Sequence, residues 1–389
     1  MKRKVIYISH ARLSDKLSRD YLYIDYLIAK GATVEYWDVA SLVRGEFDEP
    51  TAKSADYAHT VRTYSEFETM LRLPENRDAI YIMAVTYFGG STKIFRLMSK
   101  YDFTMLKIEW SHVSVGRKQN WRKISAFFSN PLWVAKKIFF NIKAIAYRKF
   151  KLVKPFDIAF AAGQELLSKN LYARKVVPIN VPDYDQYKKT KLNTKRLCEK
   201  RYAVFLDEFL PQHSDLEIYG LQPLDPAGYY ASVNQFFDLL EMNHGIKIYI
   251  AAHPKAHYST NPFDGREIHY GQTHELVGEA DFVIAHHSAS IFYAVLYTKP
   301  IIFIYTDEMA SLYKNTLVGD MHELAKRLDM AIYNIDQTAQ SDQIIVKSVN
   351  PGCYEAYKYN CITTRESEHT TTPEIFWREI NGLLNVATA

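Results

Sequence analysis

The sequence predicts an α/β protein in two halves, each built around a parallel β-sheet. Three observations predict it. At 389 residues the chain exceeds what one hydrophobic core ordinarily spans. Short apolar runs recur along it, separated by helical patterns and ended by small, polar or ionisable residues. Parallel strands covered by helices on both faces read as such continuous apolar runs. A polar, lysine-rich stretch, Lys188–Lys200, then divides the runs into two sets.

The first set opens with Val5–Ser9, followed by a helical pattern over Ser14–Lys30 that leads to Gly31, and then by Thr33–Val39. The first loop, Ser9-His10-Ala11-Arg12, lacks the glycine fingerprint of a dinucleotide site. Ser9 and His10 are candidates there to face an acceptor or a phosphate; a plain connection is the alternative. Ala79–Val85 is the next strand, and its loop carries Gly89 and Gly90 between hydroxyl residues, a second candidate position for a sugar or phosphate. Leu106–Trp110, Phe156–Ala161 and Val176–Ile179 complete the set.

An insertion of about 111–156 interrupts that pattern. It contains no Asp or Glu, but carries Arg117, Lys118, Arg122, Lys123, Lys136, Lys137, Lys143, Arg148, Lys149, Lys151 and Lys154. Trp121, Phe127, Phe128, Trp133, Phe139, Phe140 and Ile145 lie among them. Cations interleaved with rings on helices suit an anionic membrane surface, so 117–154 is expected to dock the protein peripherally. The alternative is an insertion that packs its apolar face on its own domain. The formal charge of +4 is too small for a nucleic-acid argument, and no such motif accompanies the basic run.

Domain limits follow: 1–185, a linker at 186–200, 201–365, and a final helix at 366–389 placed to return to the first domain. In the second half Tyr202–Leu206 is a strand, and Asp225 with Pro226 starts a helix as N-cap and first residue. Ile246–Ala252, Ala280–Ala285 and Pro300–Thr306 are further strands. They end in His253-Pro254-Lys255, His286-His287-Ser288-Ala289-Ser290 and Asp307-Glu308. Ligands of open α/β sheets bind at this carboxyl edge. Thr372-Pro373 is a strong start for the last helix.

Cys198, Cys353 and Cys361 form no metal-ligand spacing and fit a reducing compartment. The amino terminus lacks an apolar signal region and no 18-residue apolar stretch occurs, which places the protein in the cytoplasm, on the inner face of the membrane. The 29 Tyr offer stacking surfaces for sugars or simply reflect composition.

The acidic pair Asp207-Glu208, then His253-Pro254, then Ser288-Ala289-Ser290 resembles the motif order of bacterial sialyltransferases and related Kdo-, capsule- and lipopolysaccharide transferases. The resemblance covers mainly Tyr202–Glu308, and Phe209 stands where that group usually has glycine. It implies a GT-B fold, two Rossmann-like domains facing each other across a cleft. The first domain would bind a glycan or lipid-linked acceptor and the second a nucleotide sugar, CMP-linked to a nonulosonic acid or Kdo. Such a transferase needs a base for the acceptor hydroxyl and donors for the departing phosphate. Asp207 is the first candidate base and Glu208 the second; the alternative makes Asp207 a cap and leaves Glu208 in water. His253, with Pro254, Lys255, His286, His287, Ser288 and Ser290, is expected at the phosphate or a sugar carboxylate. Glu275 is expected at the donor's ribose, beside Thr273 as helix N-cap. Neither a bound metal nor a cofactor is implied. A UDP-hexose donor, a CDP-glycerol-type polyol-phosphate transferase and a non-catalytic assembly protein with the same body are the rival readings.

Overall fold

A computed structural model describes residues 4–14, 19, 21–44, 55–110, 131–190, 201–212, 222–338 and 343–386, with backbone only for 131–137 and 385–386. Expectations for 111–130, for the side chains of 131–137, for Cys198 and for the linker beyond Thr190 lie outside these residues. The chain divides into two units. The first contains Met1–Ser111, Gln119–Pro182 and Thr363–Ala389; the second contains Asp183–Ile362.

In the first unit the strands are β1 (Lys4–Ser9), β2 (Thr33–Asp38), β3 (Ala58–Thr60), β4 (Ile80–Ala84), β5 (Thr104–Glu109), β6 (Phe156–Ala162) and β7 (Ala173–Ile179). The helices are α1 (Ile24–Ala29), α2 (Ala40–Arg44), α3 (Tyr64–Leu71), α4 (Thr92–Lys100), α5 (Pro131–Lys149) and α6 (Gln164–Leu167). The strands form one parallel sheet ordered β3-β2-β1-β4-β5-β6-β7. Strand order reverses between β1 and β4, the crevice where doubly wound sheets take ligands. Ile6, Ile8, Trp37, Phe67, Tyr81 and Phe95 are buried in its core, with Trp37 edge-on to Phe67 and Tyr81 at 6.1 Å each. The helix expected over Ser14–Lys30 is helical at Ile24–Ala29. Tyr23, at φ 57, has left the right-handed region, which ends helix propagation at that point, and Tyr7 donates its hydroxyl to the Leu22 carbonyl at 2.5 Å.

The final helix, α14 (Thr372–Val386), belongs to this unit. Phe376 lies edge-on to Tyr23 and Phe160, and Lys175 pairs with Glu379 at 2.6 Å. Asn180 fastens the returning chain: its amide donates to the Thr370 carbonyl, and its side-chain oxygen accepts from Thr363. Its backbone N–H donates to Thr372 Oγ1. A fully bonded buried network of this kind fixes one arrangement of the strands that carry it.

The second unit contains α7 (Pro182–Thr190), β8 (Tyr202–Leu206), α8 (Pro226–His244), β9 (Lys247–Ala252), β10 (Ile268–Tyr270), α9 (Thr273–Glu279), β11 (Val283–Ala285) and α10 (Ile291–Leu296). It continues with β12 (Ile301–Tyr305), α11 (Asp307–Tyr313), α12 (Leu317–Leu328), β13 (Ala331–Asn334) and α13 (Pro351–Tyr357). The stretch read as linker is helical through Thr190. Proline opens α7, Asp183 and Asp185 sit in its first turn, and Lys188 and Lys189 sit in its last, all favourable to a helix macrodipole. Parallel strands are ordered β10-β9-β8-β11-β12-β13, with the reversal between β8 and β11. β8 is buried at all five positions, so its continuation, Asp207-Glu208, is delivered to the crevice. α8 starts as its sequence predicts: Asp225 accepts from Gly228 N–H at 2.9 Å, and Gly245 ends the helix at φ 59.

Candidate active site

Asp207 is 4% exposed and held by three donors. Its Oδ1 accepts from Phe209 N–H at 2.8 Å; its Oδ2 accepts from the Tyr258 hydroxyl at 2.8 Å and His253 N–H at 3.3 Å. Burial raises its pKa against these bonds. Glu208 reaches the other neighbouring strand, where its Oε1 accepts from His287 N–H at 2.5 Å. Removal from water pushes the Glu208 carboxyl up to about 8, with the negative charge of Asp207 adding to the rise and the His287 N–H opposing it. The acidic pair thus ties the loop after β9 to the loop after β11. A carboxyl with a pKa near 8 exchanges its proton at neutral pH, whereas a carboxylate bound by three donors has few lone pairs left for a substrate proton. Asp207, the first candidate base, is thus the more heavily bonded of the two carboxyls, and Glu208, the second, the less.

Phe209 holds a backbone conformation that favours glycine. Its φ is 52, in the left-handed region, where a side chain stores on the order of 1–2 kcal/mol of strain. Its ring lies edge-on to Tyr258 at 5.3 Å.

The His253 ring receives the N–H of Lys255 on Nδ1 at 3.1 Å, which assigns the neutral ring's proton to Nε2. Pro254 and Lys255 follow, both exposed. Ser288 Oγ accepts from Ser290 N–H at 3.2 Å, closing the turn before α10. Ser290 is the N-cap of that helix, and its side chain makes no cap bond. Glu275 sits in the first turn of α9, with its Oε2 buried and unbonded among the described residues. Thr273 is not the N-cap expected of it: Gln272 holds that position and Thr273 is already helical.

His286 is fully buried, its Nδ1 at 2.6 Å from the Ile304 carbonyl and its Nε2 at 2.8 Å from the Tyr229 hydroxyl. Burial pushes it down to about 4, so it is a neutral core group that joins two strands and a helix. Asp307 accepts from Asn334 and Gln337, and Glu308 accepts from Asp225 N–H, so both hold secondary structure together. In the first unit, Gly89 is a packing glycine: a Cβ there would lie 2.4 Å from Phe140 Cα of α5. A Cβ on Gly90 would lie 2.5 Å from the Phe88 ring, and Ser91 Oγ donates to the Thr86 carbonyl. This loop is filled from within. Ser9 is also buried, its Oγ accepting from Ala11 N–H at 3.1 Å, with His10 following it at the β1 edge.

The α5 helix presents two faces. Phe140 packs on Gly89, the Ala144 carbonyl accepts from Tyr87, and the Arg148 guanidinium covers the Tyr87 ring at 4.1 Å. The opposite stripe, Ile138, Ile142 and Ile145, is 50%, 61% and 66% exposed, with Phe139 and Phe150 also exposed beside it. No helix among the described residues is long and apolar enough to cross a membrane. No group of three or more His, Cys, Asp or Glu among them could hold a metal ion.

No protein-family model matches the chain, and no curated protein does either. Solved structures do. The calicheamicin glycosyltransferase CalG4 aligns over 100% of both chains at a TM-score of 0.52 and 11% identity. The wall teichoic acid polymerase TagF aligns over 100% of this chain and 90% of its own at 0.49 and 11%. SnogD from Streptomyces nogalater aligns over 98% of this chain and 100% of its own at 0.46 and 8%. At 11% identity the likeness to CalG4 concerns the fold alone, and the fold is GT-B.

Proposed function

We propose that this chain is a nucleotide-sugar-dependent glycosyltransferase that builds a surface glycan at a membrane. One observation carries the reading: an acidic pair at the β8/β11 reversal holds the loops of the two flanking strands, with Glu208 pushed up to about 8. Glu208 takes the proton from the acceptor hydroxyl as the anomeric carbon becomes cation-like. Asp207 positions the His253 loop by accepting its backbone N–H. His253 Nε2, Lys255, His287 and the Ser288–Ser290 turn face the departing phosphate, and Glu275 Oε2 receives a ribose hydroxyl. The fold shared with CalG4 is compatible with such a transfer.

The motif order favours a CMP-linked acidic sugar as donor, transferred without a resident metal or cofactor. Incubation with CMP-, UDP- and CDP-linked donors, with and without EDTA, tests this. Nucleotide release from a CMP-sugar that survives EDTA is expected. Release from UDP-sugars alone would overturn the donor assignment, and a phosphodiester product from CDP-glycerol would make the protein a polyol-phosphate transferase.

Membrane attachment rests on α5. An exposed stripe of Ile138, Ile142 and Ile145, with Lys143, Lys149 and Lys151 beside it and no acidic residue from Ser111 to Phe156, suits an anionic surface. Each cation near such a surface contributes about 1 kcal/mol. Flotation with vesicles containing phosphatidylglycerol is expected for the native protein and lost in the double variant Ile142→Glu/Ile145→Glu. Equal flotation of both would remove the attachment.

A further inference from the structure

A cavity of about 860 Å³ in the second unit contains none of the residues placed at the phosphate or ribose above. It lies between the outer face of α8 and the loop after β9. Tyr230 and Ala231 line one side, Tyr258 and Pro262 the other, and Phe209 stands among them. Its volume is that of a small-molecule site.

Three features restrict the occupant. The first is aromatic surface: Phe209, Tyr230 and Tyr258 all remain partly exposed, with Tyr258 edge-on to Phe209 at 5.3 Å and to Tyr230 at 6.5 Å. A pyranose has an apolar C–H face suited to such rings and a rim of hydroxyls that needs polar partners, which Gln235 and Ser259 in the lining can provide. The second is charge. Among the described residues no Lys or Arg lines the cavity, while His257, Asp264 and Asp238 do, the last paired with Arg266 at 2.6 Å. A phosphate or sugar carboxylate would there meet the Asp264 carboxylate with no lysine or arginine in the described lining to hold it. The third is position. The Tyr258 hydroxyl and the Phe209 N–H are two of the three donors to Asp207, so the cavity adjoins Asp207.

We propose that this groove is a saccharide subsite, holding an uncharged pyranose of the acceptor beside Asp207. The assignment rests on the glycosyltransferase reading for the word acceptor, but not for the binding itself. It also gives the strained Phe209 a purpose: its ring serves as one aromatic element of the subsite.

The test uses the full chain on a printed array of neutral and acidic oligosaccharides, alongside calorimetric titration with CMP and UDP. Ala231 and Gln235 are exposed on the groove face of α8, so Ala231→Trp and Gln235→Trp fill the groove without touching the core. Native protein is expected to bind neutral, pyranose-containing glycans, and each Trp variant to lose that binding at least tenfold with nucleotide binding and melting temperature unchanged. Absence of glycan binding by the native protein, or preference for acidic glycans, overturns the proposal. So does undiminished binding by both folded Trp variants. Glycan binding without any nucleotide binding would instead remove the transferase reading and leave the groove a saccharide site.

Discussion

The two sheets reverse strand order in the same way, yet their carboxyl edges are furnished differently. At the β1/β4 edge the polar groups are consumed locally: Ser9 closes its own turn, Ser91 bonds the Thr86 carbonyl, and Gly89 admits the backbone of α5. At the β8/β11 edge two carboxyls reach outward to the loops of neighbouring strands, and both are raised in pKa by burial. A site that only needs a tight turn satisfies its polar groups with the nearest backbone. A site that must move a proton keeps desolvated charge and holds it with donors from several segments. On this contrast the chemistry proposed for the chain belongs to the second unit.

The largest effect expected from breaking this contrast comes at Glu208. Glu208→Gln keeps a hydrogen-bond acceptor for His287 but removes the base, and should lower the transfer rate about 100- to 10,000-fold. The same variant separates catalysis from stability. A carboxyl at about 8 in the folded protein against its ordinary 4.5 binds more protons folded than unfolded in between, so wild-type stability falls as pH rises through that window. The fall is at most about 5 kcal/mol. Glu208→Gln lacks this term, so denaturant melts at pH 5 and pH 9 should show a smaller loss for the variant. An equal loss would mean that Glu208 is an ordinary ionised carboxylate.

Next in size is Tyr258→Phe. It deletes a donor to a buried carboxylate and should lower stability by about 1–3 kcal/mol, raising the pKa of Asp207 further. In the first unit, Gly89→Ala forces a methyl against the Phe140 backbone and should cost about 1–3 kcal/mol with transfer by the folded fraction unchanged. A defect in the turnover of folded Gly89→Ala would return that loop to the list of functional candidates.

Much of this was legible in the sequence, for physical reasons. Strands buried on both faces, such as Tyr202–Leu206 and Ile301–Tyr305, announce themselves as apolar runs, and Asp225-Pro226 announces a helix start. β3 and β10 were not legible: at three residues each they are too short for a period to develop. The acidic pair was visible as a motif, but the division of labour within it depends on which carboxyl meets three donors and which meets one. Tyr258 was invisible for the same reason, because its bond to Asp207 crosses 51 residues. His286 misled because ionisable residues at a strand end look alike until the partners, here Tyr229 and Ile304, are known.

The smallest effect is also the sharpest probe of the acidic edge, and it concerns Phe209. Phe209→Gly removes left-handed strain of about 1–2 kcal/mol but forfeits ring packing on Tyr258 and adds backbone freedom to the unfolded chain, worth about 0.5–1 kcal/mol. These terms nearly cancel, so its stability should lie within about 1 kcal/mol of wild type. Phe209→Ala loses the same ring and keeps the strain, and should fall below the glycine variant by about 1 kcal/mol. The pair therefore isolates the backbone from the side chain. If urea melts rank alanine level with glycine or above it, the turn after the acidic pair is not left-handed, and the reason for glycine in similar motifs must lie elsewhere. If glycine ranks higher, the ring persists at a real energetic cost, as expected of a residue kept for what it contributes to the groove.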